Sequence, residues 1–246
     1  MMIHIIVNGA NGQMGQETVK AIENCKDLKL VAKAGSQDDL GKLILSTQAD
    51  VVVDFTQPEC VYQNARTILE QGARPVIGTT GLTSSEIAEL RLLVVKKKLG
   101  AIIAPNFSVG AILMMRFAQE AARYLPNAEI IEMHHDKKRD APSGTAIKTA
   151  ELIKDSRTIE PLMPECKESI PGARGANYEN IAIHSVRLPG FLAHQQVIFG
   201  GIGESLTIKH DSINRSCFMP GVVLACHKVM LLEHLVYGLE DILFTD

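Results

Sequence analysis

Residues 3–15, IHIIVNGANGQMG, decide the fold of this chain. The apolar run Ile3–Asn8 has the length and composition of a buried strand. It leads directly into a glycine-rich turn that ends at Gly15, and a helical pattern continues to Asn24. Such a turn lets the backbone approach a pyrophosphate, whose charge lies at the helix N-terminus. The stretch predicts a dinucleotide-binding βα unit, with an unliganded turn as the alternative because the spacing is G-x-x-G-x-x-G.

Short apolar runs alternate with helical patterns through the first hundred residues. The further runs predicted to be buried parallel strands are Leu28–Ala34, Val51–Phe55, Pro75–Gly78 and Ala101–Ala104. Helices are predicted at Pro58–Gln71 and Ser84–Lys98. Alternation of this kind is typical of βαβ units in a doubly wound, Rossmann-type parallel sheet.

The pattern changes after Pro105. A helix is predicted from Val109 to Tyr124, a strand at Ala128–Met133, and a helix from Ser143 to Ile153, followed by a loop-rich segment over 155–180. Three alternating runs with short connections favour antiparallel strands, at Ile181–Leu188, Ala193–Phe199 and Glu204–Asp211. A last helix is predicted from Pro220 to Leu235.

These patterns predict an α/β protein of two domains. The first is a Rossmann-type dinucleotide-binding domain over residues 1–105, completed by the C-terminal segment 216–246. The second, over 106–215, is an α+β domain with a mixed, largely antiparallel sheet. We expect the second domain to bind the substrate and to form the contacts of an oligomer.

Composition narrows the classes of partner. The net charge of −3 over 246 residues gives no basic field for nucleic acid and no cationic face for a membrane. The longest apolar stretch, about 219–239, contains charged residues and is a poor membrane span. The five cysteines are scattered without a C-x-x-C pair, so we expect neither a metal site nor disulfides, and a cytoplasmic location.

Two further motifs follow predicted strands. Gly78-Thr79-Thr80-Gly81 ends the fourth strand, and Ala104-Pro105-Asn106-Phe107-Ser108 ends the fifth. Ligands of open α/β sheets bind at this carboxyl edge. The amides and hydroxyls of Thr79 and Thr80 are therefore expected to contact a nicotinamide and a substrate carboxylate, with a plain turn as the alternative.

The end of the second strand bears on the choice of dinucleotide. An acidic residue there would bind the ribose hydroxyls of NAD, and a basic residue the phosphate of NADP. The strand ends Ala32-Lys33-Ala34-Gly35-Ser36, and Asp38 and Asp39 come further on. Lys33 and Ser36 thus favour NADPH slightly.

The charged stretch 132–146, EMHHDKKRDAPSGTA, follows a predicted strand and precedes a helical pattern. Histidine exchanges protons near neutral pH, lysine attracts anions, and the N–H groups at a helix start bind another anion. If the strand continues, Glu132, His134 and Asp136 share one face, and Lys138 reaches the same side. The segment can then hold an acidic substrate and protonate it; a solvated charged loop is the alternative.

The alternating run Ile181–Leu188 places His184 on one face of its strand and Ser185 and Arg187 on the other. We interpret this sheet as scaffold and subunit contact. Arg215 follows the last of the three strands, where it can reach a cleft.

Seven motifs resemble those of 4-hydroxy-tetrahydrodipicolinate reductases, also called dihydrodipicolinate reductases. They are GANGQMG (9–15), VDFT (53–56), GTTG (78–81), APNFS (104–108), EMHH (132–135) with Lys138, DAPSGT (140–145) and IHSVR (183–187). The resemblance runs in order along nearly the whole chain.

The resemblance implies a homotetramer and a reaction of lysine and diaminopimelate biosynthesis. NADPH or NADH transfers hydride to C4 of a cyclic imino dicarboxylate, (2S,4S)-4-hydroxy-2,3,4,5-tetrahydrodipicolinate, and the hydroxyl leaves as water. It implies His134 as proton donor and Lys138 as its partner. The residues that it implies for substrate binding are Thr80, His135, Lys138, Ser143, Gly144 and Thr145. Those implied for the cofactor are Gly9, Ala10, Asn11, Gly12, Gln13, Met14, Gly15, Ser36, Phe55, Gly78, Thr79, Thr80, Ala104, Asn106 and Phe107.

One departure from the family concerns the cofactor. Many members have an arginine where Gln13 stands, and Gly35 occupies a position that is often acidic. Family members often use both cofactors, so we expect dual use with a slight preference for NADPH.

The alternatives to this family are another Rossmann oxidoreductase that acts on a small dicarboxylate and a non-catalytic NAD(P)H sensor. A short-chain dehydrogenase would need Tyr-x-x-x-Lys, which none of the four tyrosines provides. An aldehyde dehydrogenase would need a placed cysteine nucleophile. A Schiff-base lyase using Lys138 would leave the dinucleotide turn unused, and a non-catalytic NAD(P)H sensor would bind cofactor without turnover.

Overall fold

The computed structural model describes residues 2–162 and 166–244, which form two compact units. Unit 1 comprises Met1–Val109 and Arg215–Asp246, and unit 2 comprises Gly110–Asn214. The strands, in chain order, are β1 (Ile3–Asn8), β2 (Leu28–Ala34), β3 (Val51–Asp54), β4 (Arg74–Ile77), β5 (Ala101–Ile103), β6 (Asn127–His134), β7 (Ala176–Tyr178), β8 (Ile181–Arg187), β9 (Ala193–Gly201), β10 (Glu204–Ser212) and β11 (Leu235–Tyr237). The helices are α1 (Gln13–Glu23), α2 (Leu40–Thr47), α3 (Pro58–Glu70), α4 (Ser84–Lys97), α5 (Val109–Ala121), α6 (Gly144–Ser156), α7 (Met219–Lys228) and α8 (Glu240–Leu243).

Unit 1 is built on a six-stranded parallel sheet in the order β11-β5-β4-β3-β1-β2. Its central strands are fully buried, which explains why they read as continuous apolar runs and not as alternating ones. The register places Asn8 beside Asp54, and Asp54 beside Ile77. The carboxyl ends of three neighbouring strands therefore meet at one edge of the sheet.

Two elements of unit 1 differ from the sequence prediction. The segment 36–50 contains the short helix α2, which begins after Asp39; that side chain accepts the N–H of Lys42 as an N-cap. The predicted helix over 220–235 ends earlier, at Lys228, and a 3₁₀ turn leads to β11. Strand β11 pairs with β5, Leu235 lying beside Ala101. Helix α2 and strand β11 were not predicted from the sequence pattern, because each is short and depends on packing against the sheet for its stability.

Unit 2 contains a five-stranded mixed sheet in the order β10-β9-β6-β8-β7. The β9–β10 hairpin is confirmed. Strands β8 and β9 follow one another along the chain but are not neighbours in the sheet, because β6 lies between them and pairs parallel with β8 and antiparallel with β9. A short glycine-containing connection sets the direction of the next strand but cannot show that an earlier strand already occupies the place between.

Helices α5 and α6 pack against one face of this sheet. The apolar cluster on that face includes Ile130 of β6, Val197 and Phe199 of β9 and Ile153 of α6. The same face of β6 continues from Ile130 to Glu132 and His134, because side chains alternate along a strand. Helix α6 therefore packs on the same face of the sheet as Glu132 and His134.

Among the helices that the structure describes, none has the length and apolar character needed to cross a membrane.

Candidate active site

The glycine-rich turn in unit 1 has close backbone packing at two positions. Gly9 has φ +79°, and a Cβ on it would lie 2.4 Å from the carbonyl oxygen of Phe55. A Cβ on Gly15 would lie 2.2 Å from the carbonyl oxygen of Gly9. These glycines allow the turn to pass against β3 and α1 to start directly beneath it.

Gly12 has a different surrounding. It is exposed, its φ of −73° is available to any residue, and a Cβ on it would meet only the Gly9 carbonyl oxygen, at 3.3 Å. No side chain among the described residues caps the helix that begins at Gln13. The first N–H groups of a helix have no acceptor within it and carry its positive dipole end, so this terminus can hold an anion.

A cavity of about 450 Å³ adjoins this helix start. It is lined by Gly12, Gln13, Met14, Phe55, Thr56, Pro58, Gly78, Thr79, Thr80 and Arg215. Backbone amides, one guanidinium and an aromatic ring are the groups that a pyrophosphate and a flat nicotinamide ring require. The residues present therefore fit a nicotinamide dinucleotide.

The buried carboxylate of Asp54 holds this edge of the sheet together. Its Oδ2 accepts from the side-chain amides of Asn8, at 2.8 Å, and Asn64, at 2.9 Å. Its Oδ1 accepts from the hydroxyls of Thr56 and Thr79, both at 2.7 Å. The Thr79 hydroxyl thus donates its hydrogen to Asp54, Thr79 also lines the cavity, and Thr80 is exposed. A contact of either threonine with a ligand stays a prediction. Sequence reasoning gave Asp54 no role, although it ends a buried strand.

Other predicted cofactor residues pack around Phe55, which lines the cavity. A Cβ on Gly78 would lie 2.1 Å from the ring of Phe55, so the ring lies directly over this glycine. Phe55 also packs edge-on against Phe107, with ring centroids 5.8 Å apart. Phe107 and Ala104 are buried, and Asn106 accepts the N–H of Ser108.

An acidic group lies at the end of β2. The carboxylate of Asp38 accepts the N–H of Gly35, at 2.8 Å, and folds back towards the strand end. A Cβ on Gly35 would lie 3.5 Å from the Asn11 amide nitrogen and 3.8 Å from the Asp38 carboxylate. Lys33 is ion-paired with Glu23, at 3.5 Å, and Ser36 is exposed. Asp38 lies beyond the position at which an acidic residue is expected from the sequence. The turn 35–38 folds its carboxylate back to the end of β2.

In unit 2, His134 ends strand β6 beside a buried carboxylate. Its Nδ1 lies 2.5 Å from Oε2 of Glu132, a side chain with 0% exposure. Arg187 donates to both oxygens of Glu132, at 2.8 and 2.7 Å, and the N–H of Ser143 donates at 3.2 Å.

Burial by itself would raise the pKa of Glu132, but hydrogen bonds from His134, Arg187 and Ser185 outweigh it and lower the pKa to about 2 from 4.5. The carboxylate is thus ionised at neutral pH and acts only as an acceptor. Because the pKa is lowered on folding, the group contributes stability above pH 4.5 that is lost as the pH falls towards 2.

The remaining predicted substrate residues lie around the start of α6. Ser143 is 3% exposed, and its hydroxyl accepts the N–H of Ala146 as the N-cap of the helix. The Ser143 hydroxyl is thus used as the cap of the helix, and its contact with a substrate stays a prediction. Gly144 is exposed with nothing within 4 Å of a Cβ on it, and Thr145 is half-buried, so their N–H groups remain available to an anion.

Lys138 lies in the loop after β6. Its Nζ donates to both oxygens of Asp140, at 2.8 Å, which lowers the pKa of that carboxyl. The backbone N–H of Lys138 donates to the carbonyl oxygen of His135, so a turn connects the two residues. Sequence analysis expected Lys138 on the side of His134 and gave Asp140 no part.

Two other clusters lie outside these sites. A larger cavity of about 730 Å³ in unit 2 is lined around Glu129 and Arg174 and includes none of the predicted site residues. In unit 1, Cys25, Asp27 and His227 could ligate a metal. Hydrogen bonds of 3.0 and 2.9 Å to Asp27 account for this grouping without an ion.

Comparison with known proteins identifies the family. The model of the dihydrodipicolinate reductase N-terminus matches residues 3–107, and that of the C-terminus matches 110–243. The chain belongs to the dihydrodipicolinate reductase family. Membership confirms the Rossmann-type sheet with a second mixed sheet and makes the chain an NAD(P)H-dependent oxidoreductase.

Full-length relatives support the same assignment. The 4-hydroxy-tetrahydrodipicolinate reductases of Coxiella burnetii (strain Dugway 5J108-111) and Legionella pneumophila (strain Philadelphia 1) are each 56% identical over 243 residues, which is 99% of this chain and 100% of theirs. A structure of dipicolinate-bound dihydrodipicolinate reductase from Paenisporosarcina sp. TG-14 is 44% identical and covers 98% of this chain and 100% of its own, with a TM-score of 0.90. An amine dehydrogenase from Mycobacterium smegmatis, with a TM-score of 0.65 and 12% identity, shares only the fold.

Proposed function

We propose that this chain reduces (2S,4S)-4-hydroxy-2,3,4,5-tetrahydrodipicolinate to (S)-2,3,4,5-tetrahydrodipicolinate with NADPH or NADH, releasing water. The proposal depends on the arrangement in unit 2. His134 is paired with the Glu132 carboxylate, which also accepts the N–H of Ser143 at the start of α6, where further N–H groups are available. A proton donor and an anion site are what an acidic imine substrate requires.

In this proposal each residue has a separate task. A nicotinamide cofactor, when bound, supplies the hydride. In the proposed reaction the C4 hydroxyl and a C3 hydrogen leave as water, which gives a ring double bond conjugated with the imine. Hydride adds at C4, His134 donates the proton that neutralises the negative charge left on the ring, and Lys138 polarises the substrate. The N–H groups of Gly144 and Thr145 bind one carboxylate, and His135 contributes to carboxylate binding.

The substrate is tested by coupling an upstream synthase, supplied with pyruvate and aspartate semialdehyde, to the purified chain. We expect the absorbance of NADPH to fall only when both synthase substrates are present. Tight cofactor binding without any turnover would favour a non-catalytic sensor and contradict the proposal.

Replacing Gly12 by aspartate tests the helix start as the pyrophosphate site. The new carboxylate caps α1 and repels a phosphate, so we expect the Kd for NADPH to rise about tenfold or more while Tm is unchanged or higher. Gly12→Asn, with the same size and no charge, should weaken binding less. Fluorescence titration measures the Kd for NADPH of each variant. A wild-type Kd in Gly12→Asp would remove this helix start from the cofactor site.

We further propose that the chain uses both cofactors. The slight preference for NADPH rested on Lys33 and Ser36, but the Asp38 carboxylate lies at the same strand end and its charge opposes an additional phosphate. Asp38→Asn is therefore expected to raise the ratio of kcat/KM for NADPH to that for NADH by roughly tenfold, since about 1.4 kcal/mol of repulsion disappears. Asp39→Asn makes the same charge change at the cap of α2 and should leave the ratio unaltered; an unchanged ratio in Asp38→Asn would contradict its role.

A homotetramer assembled through the sheet of unit 2 and a cytoplasmic location belong to the same proposal. The sheet face opposite α6 presents half-buried apolar side chains, among them Ile131, Met133 and Val186. Sedimentation velocity measures the assembly. The five thiols of the chain suit a reducing compartment.

A further inference from the structure

A buried ion pair stands behind His134. Burying a carboxylate such as that of Glu132 costs several kcal/mol of desolvation unless its oxygens are fully bonded. Here Arg187 binds both oxygens, and His134 and the Ser143 N–H occupy further acceptor positions. Apolar side chains would fill a strand interior at lower cost, so the charge has a purpose beyond packing.

The strand register brings these groups together from three elements. On the paired strands β6 and β8, His134 lies opposite Arg187 and Glu132 opposite Ser185. Arg187 also donates to the carbonyl oxygen of Asp140, at 2.6 Å, and thereby joins the loop that carries Lys138 to β6. The Ser143 N–H connects the start of α6 to the same carboxylate.

The chemistry of this contact determines the state of the imidazole. An ionised carboxylate only accepts, so Nδ1 of His134 must carry its hydrogen, and Nε2 is the nitrogen left for proton exchange. The charged group that contacts the pair from another element is Arg187 of β8, which also lies close enough to Asp140 to lower the pKa of that carboxyl. Strand β9 places the neutral, buried Gln195 beside Glu132.

We propose that Glu132 is the positioning residue of His134: it fixes the Nδ1–H tautomer and directs Nε2 towards the substrate, while Arg187 and the Ser143 amide hold the carboxylate in place. This inference rests on the proposed role of His134 as proton donor. Glu132 acts through His134 and does not touch the reacting atoms.

Glu132→Gln tests the inference with the size of the side chain retained. Its amide group offers His134 a donor where the carboxylate accepted, which disfavours the Nδ1–H tautomer. We expect kcat to fall about 10–100-fold with KM for the imino dicarboxylate changed less than about threefold.

Glu129→Gln is the matched control. Glu129 lies on the other face of β6, and it also pairs with a histidine and an arginine, His184 at 2.9 Å and Arg174. Its replacement should leave kcat and KM unchanged. A purely structural role for Glu132 would lower Tm and the active fraction but leave the kcat of the folded fraction and the tautomer of His134 unaltered, and that outcome overturns the inference.

A second measurement does not depend on turnover. In the substrate-free protein at alkaline pH, ¹⁵N shifts of His134 should report hydrogen on Nδ1 in the wild type and its loss in Glu132→Gln. An Nε2–H tautomer in the wild type overturns the inference even if the variant does not fold. Impaired His134→Gln together with a normal Glu132→Gln would refute the positioning role alone, whereas normal activity in both would refute the proposed role of His134.

Discussion

We expect replacement of His134 by glutamine to lower kcat by about 10²–10⁴-fold, the typical contribution of a general acid. Glutamine retains a polar side chain but cannot deliver a proton, so only the step that neutralises charge on the substrate is lost. KM should change much less than kcat, because an interaction made only in the transition state is removed.

The measurement is steady-state kinetics of His134→Gln with substrate generated in the assay, beside circular dichroism to confirm folding. His184→Gln is the matched control, because His184 is also a strand histidine paired with a glutamate, at 2.9 Å from Glu129. It should retain wild-type kcat. A variant His134→Gln with a raised KM and an unchanged kcat would mean uniform binding and would exclude the acid role.

We expect Lys138→Ala to lower kcat/KM by about 10²–10³-fold, because the proposed role of Lys138 is that of a preorganised charge at the reacting group. In the structure its ammonium is held by Asp140, at 2.8 Å to both carboxylate oxygens. The pair is partly exposed, so solvent weakens it, and a dicarboxylate substrate can compete for the ammonium group.

The comparison for Lys138→Ala is Lys137→Ala, which removes the same charge from the adjacent exposed position. We expect Lys137→Ala to retain kcat/KM within about twofold, since an exposed charge at this position is screened by solvent. If Lys138→Ala also retained kcat/KM, Lys138 would have no part in binding or in the chemical step.

Much of unit 1 could be predicted from the sequence because its signals are local. Five parallel strands and the turn at Gly9–Gly15 follow from apolar runs, glycines and helical periods within short windows. Helix α2 and strand β11 could not be predicted in this way, because a helix of eight residues and a strand of three are stabilised by the sheet that they join. The insertion of β6 between β8 and β9 depends on pairing across distant parts of the chain.

The same distinction holds for the site. The positions of His134, Lys138 and Gly144 follow from a contiguous motif. The contacts of these residues cannot be predicted from that motif. Arg187 was assigned to the scaffold in the sequence analysis, and it reaches Glu132 only through the parallel register of β6 and β8. Asp54 was likewise given no role, since its donors come from three separate segments of unit 1.

In the proposed reaction, hydride passes from the nicotinamide to C4 of the cyclic imino dicarboxylate. The synthase-coupled reaction, run with NADPH carrying deuterium at both C4 positions of the nicotinamide, tests this transfer. Mass spectrometry and NMR of the tetrahydrodipicolinate should show one deuterium, located at C4 of the ring. Consumption of the cofactor with no deuterium in the product, or with deuterium at another carbon, would contradict the claim.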